Sequence, residues 1–314
     1  MPSTLLRRAL PVLALSLAAC GGDHDHRRGE ASPPATTPTA LTIDEHNGDG
    51  LLGEVMFITT LMTLNVTYDL NLHTFALPVT SCENDGTLRR DRQAGGDQRI
   101  TAIEYRDCLT SLGPDTTLTL DGELAIDYED DTPGSPFRIQ ASGFTSHLRE
   151  TRQGTLYGNR TRLDGALRMT PDPVTGLPFA SISDADLTLD FDYLEDDIAL
   201  NHWRWRLQDF AIPFSVNPMT GGMGMGASGR LTLFGDGQAR GFVDVYTDAP
   251  LSTSMAACPD SGDLTVTGAD GGYIRLTIPN ANEAVLTTNG DGDLINCGQL
   301  LDLTDPMNVL VIAH

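Results

Sequence analysis

Carboxylates are the commonest reactive groups in this chain, with 43 Asp and Glu among 314 residues, so paired acids are the first chemistry to consider. Glycoside hydrolysis needs two carboxyl groups at a defined separation across a sugar. Glu129-Asp130-Asp131 and Glu195-Asp196-Asp197 are dense acid runs, yet both sit at the ends of alternating segments, where acids serve as turn residues. Serine chemistry would need a Gly-x-Ser-x-Gly elbow. Gly226-Ala227-Ser228-Gly229 falls one residue short of it, and Asp260-Ser261-Gly262 has no accompanying histidine segment. The seven histidines are scattered singly. His147-Leu148-Arg149-Glu150 lacks the second histidine of a zinc helix, and His24 and His26 stand without further ligands. All 20 basic residues are Arg, which excludes a Walker phosphate loop, a pyridoxal Schiff base and a Ser-Lys dyad. No catalytic residue is assigned, and the chain reads as a non-enzyme.

Two binding chemistries remain open. Asn47-Gly48-Asp49-Gly50 and Asn289-Gly290-Asp291-Gly292-Asp293 are oxygen-rich loops. Calcium is the one cofactor the sequence allows, at Asn289, Asp291 and Asp293. An EF-hand register fails, because the twelfth positions counted from Glu45 and Thr287 hold Met56 and Gly298. Tight-turn chemistry is the simpler account, since Asn-Gly pairs favour positive φ in hairpins. Phe191, Tyr193, Trp203 and Trp205 are the second candidate. They share one strand parity and would line a cavity for an apolar ligand, or else form solid core.

Those side chains must be positioned by β-structure. Leu118, Leu120, Leu124, Ile126 and Tyr128 alternate with polar neighbours, as do Leu187, Leu189, Phe191 and Tyr193. Tyr68, Leu70 and Leu72 follow the same rule, and so do Trp203, Trp205 and Leu207. Such a period of two marks antiparallel strands with one buried and one wet face. Only Leu51 to Leu64 departs from it; its apolar residues settle into neither period, and it is the one stretch that could be helical. Asp121-Gly122-Glu123-Leu124 recurs as Asp164-Gly165-Ala166-Leu167, Ser228-Gly229-Arg230-Leu231 and Ser261-Gly262-Asp263-Leu264. A glycine early in a strand marks a bend or bulge that lets a wide sheet curl over its apolar face. The fold class is all-β: a large curled antiparallel meander, either a sandwich or an open half-barrel.

The N-terminus carries an address. Arg7 and Arg8 precede an apolar run from Ala9 to Ala19, the pattern of a secretory signal and too short to span a bilayer. It ends in Leu17-Ala18-Ala19-Cys20, which resembles the lipobox of bacterial lipoproteins. The resemblance implies that residues 1–19 are a signal peptide and that Cys20 is lipidated and becomes the mature N-terminus. Gly21, rather than Asp, follows the cysteine and so implies the outer membrane over the inner. Residues 20–42, rich in Gly, Pro, Thr and Ala, read as a flexible tether. A main β domain over 43–218, a Gly/Met loop at 219–229 and a C-terminal β unit over 230–314, expected to be continuous with the main sheet, complete the organisation.

With Cys20 lipidated, four cysteines remain, an even number that in an exported chain reads as disulfides. Of three connectivities, the local one is favoured: Cys82 with Cys108 and Cys258 with Cys297. Val79-Thr80-Ser81-Cys82, Tyr105-Arg106-Asp107-Cys108 and Leu120-Asp121-Gly122-Glu123-Leu124 resemble a run in uncharacterised proteobacterial lipoproteins. Ser261 to Ala269 and Asn289 to Asp293 are similar to the closing module of such proteins. That class implies no activity.

A formal net charge of −23 excludes nucleic acid as a partner, because backbone binding needs concentrated positive charge. The expected partners are the membrane, through the lipid anchor, and an envelope protein or an apolar ligand. Two functions stay open: an interaction or structural module held at the cell envelope, and a carrier or sensor of an apolar ligand.

Overall fold

The computed structural model describes residues 38–66, 82, 84–93, 99–132, 134–171, 180–216, 219, 222–235, 238–253, 258–296 and 298–300. Cys20, His24, His26, the Tyr68–Leu72 alternation and Cys297 lie outside them. The chain begins with helix α1 (Gly48–Thr60), prolonged by a π-helical stretch over Leu61–Val66. There follow strands β1 (Asp85–Arg92), β2 (Ile100–Gly113), β3 (Thr116–Tyr128), β4 (Phe137–Arg152), β5 (Thr155–Pro171), β6 (Ala180–Glu195) and β7 (Ile198–Ile212). Two short strands, β8 (Phe214–Val216) and β9 (Met223–Met225), precede β10 (Ser228–Gly235) and β11 (Gln238–Thr253). Strands β12 (Ser261–Thr267), β13 (Tyr273–Asn280), β14 (Glu283–Thr288) and β15 (Asp291–Ile295) complete the set.

All fifteen strands form one antiparallel sheet, in the order β1 to β7, then β10 to β15, with β9 bridging β8 and β11. The sheet is open and curled, so of the two all-β architectures the single rolled sheet is the one present. Strand β10 pairs with β7, which puts both sides of the Gly/Met segment in one sheet. That segment is not loop throughout, since β9 lies inside it and pairs with Leu251 to Thr253. The compact part also starts earlier than composition suggests. Leu41 N–H donates to Phe242 O at 2.9 Å, and Ala269 N–H donates to Leu41 O at 2.6 Å. Residues 38–42 are therefore tied to the sheet by backbone bonds, with Leu41 packed against the core.

Alternation sets the layers. Leu187, Leu189 and Phe191 face the core while Thr188, Asp190 and Asp192 face out, and one apolar cluster runs from β2 through β14. Helix α1 belongs to that cluster. Leu51, Leu52, Val55, Met56, Phe57 and Ile58 are all buried, which accounts for the missing amphipathic stripe: a helix covered on every side has no polar face. Its buried hydroxyls are satisfied within the helix, Thr59 Oγ1 donating to Val55 O and Thr63 Oγ1 to Thr59 O, each at 2.7 Å.

The recurring glycines produce the curl. Gly122, Gly165, Gly229 and Gly262 have φ of +97°, +129°, +127° and +139°, and a register shift accompanies each where its strand meets a neighbour. A Cβ on Gly122 would lie 2.4 Å from Gly143 O, and one on Gly165 would lie 2.4 Å from Asp186 O. The acid before the glycine has its own task. Asp164 Oδ1 accepts the Gly143 N–H at 2.6 Å, and Asp121 Oδ1 accepts the Asp107 N–H at 3.3 Å. Each Asp-Gly pair thus gives one strand its bend and satisfies the amide that the neighbouring bulge leaves unpaired.

Cys82 and Cys108 are bridged, closing 26 residues of sequence separation and tying the segment before β1 to β2. Cys258 is disulfide-bonded as well.

Candidate functional site

The aromatic positions come together on the concave face, and the helix meets them there. Phe57 sits 5.3 Å from Phe191, 5.6 Å from Trp203 and 5.8 Å from Trp205, measured between ring centroids. Phe191 is edge-on to Phe57, while Trp203 and Trp205 stack at 6.5 Å with planes 9° apart. These separations are those of aromatic packing rather than of an open pocket. Phe191 and Trp205 are buried, and Tyr193 and Trp203 pack against the same core from half-buried positions. Burial raises the Tyr193 hydroxyl pKa above its ordinary 10.

Glu54 fixes this arrangement. Its side chain is only 13% exposed. The Trp205 indole N–H donates to Oε1 at 2.8 Å, and Arg240 donates to Oε2 at 2.6 Å. One helix carboxylate therefore ties α1 to β7 and β11 at once. The sequence held a signal for it: Glu54 is the sole ionisable residue between Gly50 and Val66, and a lone acid inside an apolar run must find partners.

Two cavities bear on binding. An apolar crevice between the end of α1 and β9, lined by Met56, Thr59, Met225, Thr247 and Leu251, holds about 10 Å³ of free space, enough for one water at most. A depression of about 250 Å³ lies across β1 to β4, where Arg89, Asp91, Glu104, Glu123 and Gln140 give it polar walls.

On the convex face a row of charged residues crosses four strands in register: His147, Arg160, Asp192 and His202. Asp192 accepts from Arg160 at 2.6 Å and 2.8 Å and contacts His202 Nδ1 at 2.6 Å. Both Arg160 donors share the one oxygen Oδ2, whereas Arg204 holds Asp190 by both carboxylate oxygens, Nε to Oδ1 at 2.6 Å and Nη2 to Oδ2 at 3.0 Å. His147 is the exception. Its side chain is 15% exposed, its Nε2 has no hydrogen-bond partner, and Asp197 stands 4.0 Å away. Burial, helped by repulsion from Arg149, pushes its pKa from 6.5 down to about 4.

The remaining candidate residues take part in local structure. Asn289 and Gly290 have φ of +51° and +103° and turn β14 into β15. Asn289 Oδ1 accepts from Tyr273 N–H at 2.8 Å, and its Nδ2 donates to Ile43 O at 2.9 Å. Asp291 and Asp293 follow as exposed residues of β15. Among the described residues no group of three or more His, Cys, Asp or Glu is placed to hold a metal ion. Asn47-Gly48-Asp49-Gly50 starts α1, with Asp44 Oδ1 accepting the N–H groups of His46 and Asn47. Glu129 pairs with Arg168. Asp196 and Asp197 form the β6–β7 turn at φ of +50° and +62°, Asp197 reaching Arg149 at 3.0 Å.

No protein-family model, curated protein or solved structure matches the chain.

Proposed function

We propose that this protein is a lipid-anchored lipoprotein of the bacterial envelope. Acyl chains on Cys20 carry it at the outer membrane, and its rolled sheet serves as a non-catalytic interaction or structural module. The observation that supports the module reading best is the filled concave face: Phe57 occupies the space that a ligand among Phe191, Tyr193, Trp203 and Trp205 would need. Leu17-Ala18-Ala19-Cys20 supports the anchor. A net charge of −23 makes a basic membrane-binding patch an unsuitable substitute for it, so the acyl chains would do the anchoring.

Intact-mass spectrometry on the full chain, expressed in a Gram-negative host and recovered from membranes, tests the anchor. The expected product starts at Cys20 and carries added acyl mass, while Cys20→Ala leaves the membrane fraction. An unmodified product, or a Cys20→Ala variant that stays membrane-bound, would overturn it.

The carrier reading keeps one observation in its favour, the apolar crevice between Met56 and Met225. A ligand there would have to part α1 from β9, which the soft methionine side chains permit.

A further inference from the structure

The Gly/Met segment carries a chemistry that packing alone leaves unused. Over Met223-Gly224-Met225-Gly226 every side chain is a thioether, and residues two apart in a strand share a side. Strand β9 therefore shows two methionine side chains on one side and bare backbone on the other. It is held between two neighbours, Met225 pairing with Phe214 of β8 and with Leu251 of β11. The glycines permit this closeness. A Cβ on Gly226 would lie 3.2 Å from both Pro213 and Thr247, and one on Gly224 would lie 3.0 Å from Ser215 Oγ.

A methionine of the helix lies across from them. Met56 and Met225 line one crevice at the end of α1. Met56 is 8% exposed, whereas Met223 and Met225 are half-buried, so one wall of the site is core and the other is reached by solvent. No carboxylate, imidazole, thiol or basic group lines it. Its hydroxyls are mostly spent: Thr59 Oγ1 donates to Val55 O at 2.7 Å, while Thr247 Oγ1 accepts the Ala227 N–H at 2.8 Å and donates to Ala227 O at 3.0 Å. Thr60 adds one more hydroxyl. The free space of about 10 Å³ is that of a single small sphere, and a water there would need two to four polar partners. What the crevice offers instead is a pair of thioether sulfurs.

Thioethers are neutral, polarisable ligands that select soft metal ions. Hard cations need oxygen, and zinc takes imidazole, thiolate or carboxylate, none of which lines this site. Cu(I) is soft and accepts two or three ligands. We propose that the crevice between α1 and β9 is a Cu(I) site. Met56 and Met225 supply its sulfurs, and Met223, on the same side of β9, adds a third from the solvent side. The two elements suit the task. Helix α1 is fixed by the bonds of Glu54 to Trp205 and Arg240, while the methionine side chains have three rotatable bonds with which to turn sulfur toward the ion.

Competition for Cu(I) against bicinchoninate, with ascorbate as reductant and air excluded, tests the proposal. The Cys20→Ser chain is used with its disulfides formed, so that the anchor thiol is no rival ligand. One Cu(I) per chain is expected, with affinity falling at least tenfold in Met56→Leu and in Met225→Leu, substitutions that keep volume and apolar character. Met169→Leu, at a buried methionine of β5, should leave the affinity unchanged. No bound Cu(I), or an affinity that Met56→Leu and Met225→Leu leave as it was, overturns the site; the second result would put the copper elsewhere, as at His24 and His26. Methyl resonances of the chain with all nine methionines give a reading free of any change in folding. Those of Met56 and Met225 should move on addition of Cu(I) while that of Met169 stays, and unmoved Met56 and Met225 signals overturn the proposal.

Discussion

Replacing Phe57 with alanine tests whether helix α1 is a structural plug of the rolled sheet or a cover that can leave it. Phe57 is 3% exposed and touches three aromatic rings. Removing a buried phenyl group costs about 3–5 kcal/mol, combining lost transfer energy with the cavity left behind. The upper half of that range applies, because aromatic pairs add about 0.5–1.5 kcal/mol each beyond their buried area. Phe57→Leu, which keeps most of the volume, should cost about 1–2 kcal/mol. The chain has only two tryptophans, and both lie within 6 Å of Phe57 by centroid distance. Urea unfolding followed by tryptophan fluorescence and by far-ultraviolet circular dichroism therefore reads the plug and the sheet separately. A structural plug gives coincident transitions, a lowered midpoint and an unchanged slope. A shift below about 1 kcal/mol, or an early fluorescence change that leaves the sheet transition in place, would refute the packing argument.

Other perturbations address other parts of the fold. Gly122→Ala and Gly165→Ala force a Cβ to within 2.4 Å of a neighbouring strand's backbone at φ of +97° and +129°. Each should cost at least about 2 kcal/mol in thermal or urea melts, whereas Gly113→Ala, with nothing within 4 Å, should be nearly neutral. His147 makes stability pH-dependent. The unfolded chain takes up a proton below pH 6.5 that the folded chain refuses until about pH 4. The contribution of His147 to stability therefore falls by about 3 kcal/mol as pH drops through that window and stays level below it. His147→Gln should flatten the profile measured by urea midpoints, and an unchanged profile would show that other groups set it. Reducing the Cys82–Cys108 bridge, or replacing both residues with serine, reopens a loop of 26 residues and should cost about 3.5 kcal/mol by loop entropy. Asp192→Asn weakens the pairing of Arg160 and His202; a loss of about 1–3 kcal/mol is expected in the same melts.

Much of the sheet could be read from residue order, because a period of two needs no tertiary information. The inward set Leu187, Leu189, Phe191 and its outward partners were plain, and the Asp-Gly repeats located the bends. Helix α1 resisted reading for a physical reason: burial on all sides removes the periodicity by which helices are recognised. The attachment of residues 38–42 was hidden too, since it rests on backbone bonds from Leu41 to Phe242 and Ala269. For the candidate site, parity placed Phe191, Trp203 and Trp205 on one face. It could not say that Phe57, more than 130 residues earlier in the chain, would fill the space between them. The calcium and carboxylate candidates were ambiguous because turns and ligand loops use the same Asn, Asp and Gly. The hydrogen bonds of Asn289 and the positive φ of Asp196 and Asp197 give those residues their part in turns.

On the proposed reading the rolled sheet is filled by its own helix, with Phe57 among Phe191, Trp203 and Trp205, and holds no ligand. The most direct test of that claim is organic extraction of the natively purified Cys20→Ser chain, which carries no anchor lipid of its own, followed by mass spectrometry. No apolar molecule should appear in stoichiometric amount while the protein is folded and disulfide-bonded. One lipid or other apolar ligand per chain would contradict the claim, and would make the helix a displaceable cover over Phe191, Tyr193, Trp203 and Trp205.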